Sequence, residues 1–339
     1  MATVDVQTYS MKEFQFALKP EAAIGTKINT SMQLLNLNGD ITIAKEVIQD
    51  TTQRSGVGRT LKVGDIKTTD KGGVRTTLSV PILLDTDVAP MILEGVTWVP
   101  TSTGPASVDV DVDYAPASQA HGAAPTNTND FFTACMVSPI TGQSRYWTGS
   151  VIEGITLSLE AGSDGGRQAA TLTIVTAYYE AAPAAAPTGM TAYGDADTFR
   201  YLYDLTTTKK IGGDDLIMNK FELSIVNAVS FGGFQGANGD PETITRAVNG
   251  GRIEMTCTAG VKYDSNTAAD WDSFRKGDIY AIELSNHATW ASATFGFKAD
   301  YCKLTSEPAA GDTEAGAFQD LSFMIAGGAA GTDMLQLVP

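Results

Sequence analysis

Apolar and polar residues alternate with a period of two along most of this chain, a pattern that favours half-buried β-strands. The segment 107–114 reads SVDVDVDY, with valines on one face and aspartates on the other. The segment 155–160 alternates in the same way. Further strands are predicted at 170–178, 221–225, 253–263, 280–284, 293–299, 321–325 and 334–338. The sequence therefore predicts an all-β protein.

Two segments have the pattern of short helices. The segment 267–276 (TAADWDSFRK) places its aromatic residues on one face and is followed by Gly277, a residue suited to end a helix. The segment 87–93 is shorter, and we expect it to end before Gly95.

These helices lie at matching places in a possible internal repeat. In each half a Gly-Gly pair opens an apolar strand, an aspartate closes it, and a helix and a glycine follow. The paired landmarks are Gly73 and Gly251, Asp85 and Asp264, and Gly95 and Gly277, at offsets between 178 and 182 residues. The segment 181–189 (AAPAAAPTG) has the composition of a linker. The sequence predicts two β domains, 1–182 and 183–339, with chance similarity as the alternative.

The charge balance limits the kinds of partner that we expect. The chain has 39 acidic and 23 basic residues and a formal net charge of −16. Tight nucleic-acid binding requires clustered Lys and Arg that release counterions, and anionic lipid attracts similar clusters. No apolar stretch approaches the ~20 residues of a membrane span, and no signal peptide is recognisable. We expect folding in a cytoplasm and no membrane partner.

Residues typical of catalytic and metal sites are scarce. The two histidines, His121 and His287, lie far from any obvious catalytic partner, and the three cysteines form no CxxC pair. Each cysteine is interpreted as a small buried hydrophobe. No nucleophile-elbow, P-loop or zinc-protease spacing is present. The sequence predicts no catalytic, cofactor-binding or metal site.

Asp109, Asp111 and Asp113 resemble the start of a calcium-binding loop, but Tyr114 occupies the position where such a loop needs glycine. Two interpretations remain for these aspartates. They form a solvated strand face, or repeated copies of them form an acidic face at a lumen or an interface.

Phe231 and Phe234 flank two glycines at the start of a predicted long loop, 232–249. If they are exposed, they mark a docking surface between subunits; burial within the same domain is the alternative.

The segment 146–159 (YWTGSVIEGITLSL), together with the glycine turn and threonine-rich strand that follow, resembles the tail tube proteins of long-tailed bacteriophages. The segment 219–227 (NKFELSIVN), a long loop, a strand and a short helix repeat this similarity in the second half. The closing strands near 318–325 and 334–338 fit the last strand pair of that family. The resemblance covers the chain from about residue 14 to its end, apart from 115–130 and 181–197.

This resemblance implies a duplicated tail-tube fold, in which two antiparallel sheets pack together with a helix on the flank. In such tubes the inner sheets of neighbouring subunits join into a β-barrel that lines a channel for genome ejection, and long loops reach the next ring. The implied partners are other copies of the chain, tail terminator and tail-tip proteins, the tape measure protein, and double-stranded DNA that passes without specific binding. The implied location is the virion tail, after assembly in the host cytoplasm, and the implied role involves no enzymatic activity.

If each chain supplies two tube folds, three chains build a pseudo-sixfold ring; without duplication six are needed. We favour the trimer, and a non-contractile tail because the chain is long for an inner tube. Two other classes remain open: another virion structural protein, such as a head decoration or capsid-associated β-sandwich, and an enzyme such as a glycosidase that uses paired carboxylates.

Overall fold

A computed structural model describes residues 13–45, 48–50, 67–69, 76–99, 108–111, 119–120, 122–176, 183–194, 198–205, 207–234, 244–263, 270–313, 316–328 and 333–339. Strands account for 54% of the chain and helices for 11%, so the predicted all-β class is confirmed.

The strands, in chain order, are β1 (Gln15–Pro20), β2 (Gln33–Leu37), β3 (Thr42–Lys45), β4 (Ile48–Asp50), β5 (Lys67–Thr69), β6 (Thr76–Leu83), β7 (Val108–Asp111), β8 (Gln119–Ala120), β9 (Phe132–Val137), β10 (Arg145–Glu160), β11 (Ala169–Thr176), β12 (Thr208–Ile211), β13 (Asp214–Asp215), β14 (Met218–Phe234), β15 (Ile244–Lys262), β16 (Tyr280–Ser285), β17 (Gly296–Leu304), β18 (Ala309–Thr313), β19 (Gly316–Ile325) and β20 (Asp333–Val338). The helices are α1 (Ala89–Thr97) and α2 (Asp270–Lys276).

The largest layer is an antiparallel sheet of eight strands in the order β3, β6, β11, β10, β14, β15, β19, β18. The two halves of the chain meet where β10 pairs with β14, in a register that runs from Gly154 opposite Val226 to Glu160 opposite Lys220. The two predicted domains therefore share one continuous sheet.

A second layer covers one face of this sheet. In the first half, β2, β1 and β9 lead back to the beginning of β10, and β2 also pairs with β6. Six strands of this half thus close into a small barrel. In the second half the layer has the order β13, β12, β16, β17, β20, β7. Strand β7 comes from the first half, so the second layer also joins the halves.

One hydrophobic core lies between the two layers and extends through both halves. Alternate residues of the eight-stranded sheet point into it, as period-two alternation requires. The rings of Phe221 in β14 and Phe297 in β17 pack with their centroids 4.9 Å apart and connect the layers. Burial of an aliphatic or aromatic side chain stabilises the fold by about 1.5–3 kcal/mol.

Helix α1 begins after a turn that the buried Asp85 side chain stabilises by accepting hydrogen bonds from the backbone N–H groups of Asp87 and Val88, both at 3.0 Å. The prediction that this helix ends before Gly95 is wrong, because α1 continues to Thr97. A Cβ atom on Gly95 would lie 2.8 Å from the Phe132 ring. Glycine is needed there for close approach to β9 and not to end the helix.

The prediction of a long loop at 232–249 is also wrong at both ends. Strand β14 continues to Phe234 and β15 begins at Ile244, with Phe231 opposite Ala247 in the register. A bulge between Asn227 and Val229 separates this extension from the sheet below it. Pairing between the two strands resumes beyond the bulge, so the hairpin extends past the eight-stranded sheet.

The described part of the predicted linker, 183–194, packs on the first half. Ser144 and Ala184 exchange two backbone hydrogen bonds of 2.9 Å, and the Tyr146 hydroxyl donates to the carbonyl of Ala185 at 2.7 Å. The chain therefore crosses towards the second half after this segment. The boundary between residues 182 and 183 stays a prediction.

Candidate functional site

The face of the eight-stranded sheet that points away from the core is the principal candidate surface, and we call it the polar face. On β14, Phe221, Leu223 and Ile225 belong to the core, whereas Glu222 and Ser224 point to the other side. The same alternation holds on β6, β11, β15 and β19. Since no second layer of described strands covers this side, its residues remain partly or fully exposed.

The centre of the polar face carries hydroxyl groups and no charge. Strand register aligns six residues in one row across the sheet: Pro81, Thr171, Thr156, Ser224, Thr256 and Met324. The next row contains a hydroxyl pair, with Thr258 Oγ1 and Ser322 Oγ 3.1 Å apart. This central row presents a neutral surface that can form hydrogen bonds.

Charge is concentrated in a row near one rim of the polar face. Glu160, Lys220, Gly260 and Asp320 are neighbours across four strands. Lys220 Nζ forms a 2.8 Å ion pair with Asp320, and a Cβ atom on the intervening Gly260 would lie 2.7 Å from Lys220 Cγ. Glycine therefore lets the lysine stem cross β15 and reach β19.

The two edge strands of the sheet are the second part of the candidate site. Within the described residues, β3 pairs only with β6 and β18 pairs only with β19. Neighbouring strands run in opposite directions, so in a sheet of eight strands the two edges are also antiparallel to each other. Strand edges of this kind present backbone N–H and C=O groups that can pair with another chain.

The predicted acidic face does not coincide with the polar face. Val108 and Val110 are buried, as the alternation predicts, but β7 is the edge strand of the second layer and not part of the eight-stranded sheet. Asp109 Oδ1 lies 3.4 Å from Gln336 Nε2 of the neighbouring β20. The Asp111 side chain and the whole of Asp113 lie outside the described residues. A role of these aspartates at an interface stays a prediction.

Phe231 and Phe234 lie in the hairpin extension of β14 and not in a loop. Their side chains lie outside the described part of the structure, so their role in docking stays a prediction. The structure does not bring them together with Asp109, because β7 pairs with β20 at a different edge.

Two buried carboxylates have structural surroundings. Glu21 is 2% exposed and accepts hydrogen bonds from Gly25 N at 2.6 Å, Thr133 Oγ1 at 2.8 Å and Gly149 N at 2.9 Å. Burial raises the pKa of Glu21, and burial likewise raises the pKa of Asp85. Each holds backbone segments together, which accounts for its position without a catalytic role.

The remaining reactive groups are inert or isolated in the described ranges. All three cysteines are free and buried, as predicted, and burial raises the pKa values of Cys135 and Cys302 to about 12. His287 Nδ1 lies 3.1 Å from the backbone N of Thr289 in its own turn, and His121 lies outside the described residues. No three His, Cys, Asp or Glu residues in the described ranges cluster as metal ligands would. None of the helices found there is long and apolar enough to cross a bilayer.

No protein-family model matches the chain, and no curated protein shows significant similarity to it. The polar face was not identified from the sequence, although its hydroxyl residues stand at alternate positions of the predicted strands. Their union into one surface depends on strand register, which joins residues as distant as Pro81 and Met324.

Proposed function

We propose that this protein is a structural subunit of a bacteriophage tail tube, without enzymatic activity. The observation that carries the proposal is the eight-stranded sheet, with one polar face and two available edges of opposite direction. Rotated copies can place β18 of one chain antiparallel to β3 of the next. Such pairing continues the alternation of strand direction and leaves no free edge once the ring closes.

Ring size follows from the strand count. Three copies of an eight-stranded sheet supply 24 strands, and at ~4.8 Å per strand the circumference is about 115 Å. The corresponding diameter is roughly 37 Å between backbones, before strand tilt widens the barrel. That width leaves room for a DNA duplex inside the side chains of the polar face.

The edges are also staggered along the strand direction. The row that meets β3 includes Glu254, whereas the row that meets β18 includes Gly260, six residues further along β15. Six residues correspond to about 20 Å. A closed barrel needs tilted and staggered strands, and edges at different levels are compatible with that geometry.

The chemistry of the polar face supports passage of DNA without binding. Its central row has no charged residue, and its charged positions include four carboxylates and two lysines: Glu160, Glu222, Glu254, Asp320, Lys220 and Lys262. Phosphates would meet no cluster of basic side chains, so few counterions would be released. A weakly acidic lumen repels the DNA backbone.

The order of elements supports duplication and hence the trimer. In the first half, strands β3 and β6 pair, α1 follows, and β11 later pairs on the other edge of β6. In the second half, β14 and β15 pair, α2 follows, and β19 pairs on the other edge of β15. Each chain thus supplies two similar units of four strands, and three chains form a pseudo-sixfold ring.

The proposal includes the partners and location that such a role requires. They are the tail terminator, tail-tip and tape measure proteins, in a non-contractile virion tail assembled in the host cytoplasm. Double-stranded DNA would pass through the channel during ejection.

Electron microscopy of the purified, concentrated protein tests this function. We expect rings or stacked tubes with threefold symmetry at side-chain detail and an open channel. Strict sixfold symmetry would exclude the trimer. A protein that stays monomeric at high concentration, even when tail tips are added as seeds, would contradict the tube function. A head decoration or similar virion protein would not form tubes by itself.

A further inference from the structure

A groove opens at one end of the molecule, beside the turn between β10 and β11. Its lining includes Gly162, Gly165, Gly166, Tyr203, Lys209 and Met218. Three glycines give it a floor without side chains. Tyr203 is 66% exposed and stacks on Tyr201 with ring centroids 4.9 Å apart, so one wall is a fixed aromatic surface.

The hairpin of β14 and β15 extends beyond the opposite end of the same sheet. Met218, which lines the groove, is the first residue of β14, and Phe234 is the last. A strand of 17 residues spans roughly 50 Å at about 3.3 Å per residue. The connection 235–243 follows Phe234, so it begins too far away to reach the groove of its own chain.

The sequence of this connection complements the groove. It reads QGANGDPET, with small residues before Asp240 and Glu242, and it contains no basic residue. Lys209 supplies positive charge to the groove lining, and the glycine floor suits a segment rich in glycine and alanine. The nearest groove carboxylates already accept hydrogen bonds: Asp164 from Asn38 at 3.0 Å and Asp204 from Tyr201 N at 2.8 Å.

A second long connection in the chain fits this groove less well. The segment 51–66 joins β4 to β5 and carries Arg54, Arg59 and Lys62 against a single acidic residue, Asp65. Lys209 would repel its positive charge. Charge complementarity therefore selects the connection 235–243.

We propose that the groove of one copy binds residues 235–243 of a second copy stacked along the strand direction. The inference rests on the proposed tube function and assigns the axial contact between rings. Because the two partner surfaces are different and lie at opposite ends, each copy keeps one free groove and one free connection. A contact of this kind does not close and continues as an open stack.

A disulfide trap tests the contact in the full chain. The double variant Tyr203→Cys with Ala237→Cys places one thiol in the groove and one in the connection. Mild oxidation with copper phenanthroline should give a ladder of covalent multimers longer than one ring on a non-reducing gel. Each single variant is the control and should give no ladder, since the native cysteines are buried.

Charge exchange provides the second test. Lys209→Glu alone, or Asp240→Lys with Glu242→Lys, should raise the concentration needed for tubes by about tenfold. Combining the three changes should restore stacking. Circular dichroism and urea unfolding check that each variant keeps its fold.

The outcomes separate this inference from the tube function. Rings that no longer stack in the single-sided charge variants, with rescue by the combination, support the contact. Normal tubes in every charge variant and no ladder from the double cysteine variant would overturn the contact while the tube function stands. Monomers at all concentrations in the unmodified protein would overturn both.

Discussion

The two faces of the eight-stranded sheet differ although they belong to the same strands. Leu223 is 1% exposed in the core, whereas its neighbour Ser224 lies in the neutral row of the polar face. The inner face stabilises each chain through burial under the second layer. The outer face contributes little to stability and so remains available for assembly. The comparison shows that one register can separate folding from function.

The largest expected effect comes from shortening a side chain of the inner face. Ile225→Ala should lower the free energy of unfolding by about 2–5 kcal/mol, because it removes buried methyl groups and leaves a cavity. The matched change on the polar face, Ser224→Ala, should stay within about 0.5 kcal/mol. Urea unfolding of the monomer measures both, and equal losses would contradict the difference between the faces.

A smaller loss is expected from a buried polar contact on the inner face. The Asn227 amide donates to the carbonyl of Val96 at 2.7 Å and connects β14 to the end of α1. Asn227→Ala should lower the free energy of unfolding by about 1–3 kcal/mol, since the carbonyl loses a donor in the interior. Val226→Ala, on the exposed side of the same strand, is the control. A loss no larger than the control's would show that this contact does not stabilise the helix.

The pH dependence of stability sharpens the contrast between a buried and an exposed carboxylate. Because burial raises the pKa of Glu21 above its ordinary value of 4.5, the folded protein binds this proton more tightly than the unfolded chain. The associated stability is fully present below the unfolded pKa and is lost as the pH rises through the folded value.

Comparing Glu21→Gln with the native chain isolates that effect. The stability difference between them should change in favour of the native chain as the pH falls from about 8 to about 5. Glu222→Gln on the polar face is the control and should show no comparable change. Urea unfolding at both pH values measures the differences. A pH-independent difference for Glu21→Gln would contradict the assigned effect of burial.

The smallest effect is expected at the charged row of the polar face. Gly260→Ala should displace the Lys220 stem and weaken its ion pair with Asp320, at a cost of about 1 kcal/mol or less because both side chains are partly exposed. A double-mutant cycle with Lys220→Met and Asp320→Asn measures the coupling. A coupling that Gly260→Ala leaves unchanged would contradict the role assigned to this glycine.

The alternation predicted most strands of the second half because one face of each is buried and the other is not. It missed β9, in which all six residues from Phe132 to Val137 are buried. One side of β9 faces the main core through Ala134, and the other side contributes Cys135 to a smaller cluster with Met32 and Tyr146. A strand covered on both faces has no polar period to recognise.

Sequence reasoning identified the type of surface better than its location. It predicted the burial of Val108 and Val110 correctly but had no information that β7 joins the second layer through β20. The pairing of β10 with β14 joins residues far apart in sequence, from Gly154 to Val226. Non-local register of this kind follows from tertiary packing and not from local pattern.

The central claim is that the polar face lines a channel closed by edge pairing between copies. A cryo-electron microscopy map of the assembled protein at side-chain resolution tests it directly. The account predicts that Thr156, Ser224 and Thr256 face the lumen and that β18 of each chain hydrogen-bonds to β3 of the next. A map in which these residues face the outside of the assembly, or in which β3 and β18 remain unpaired, would contradict it.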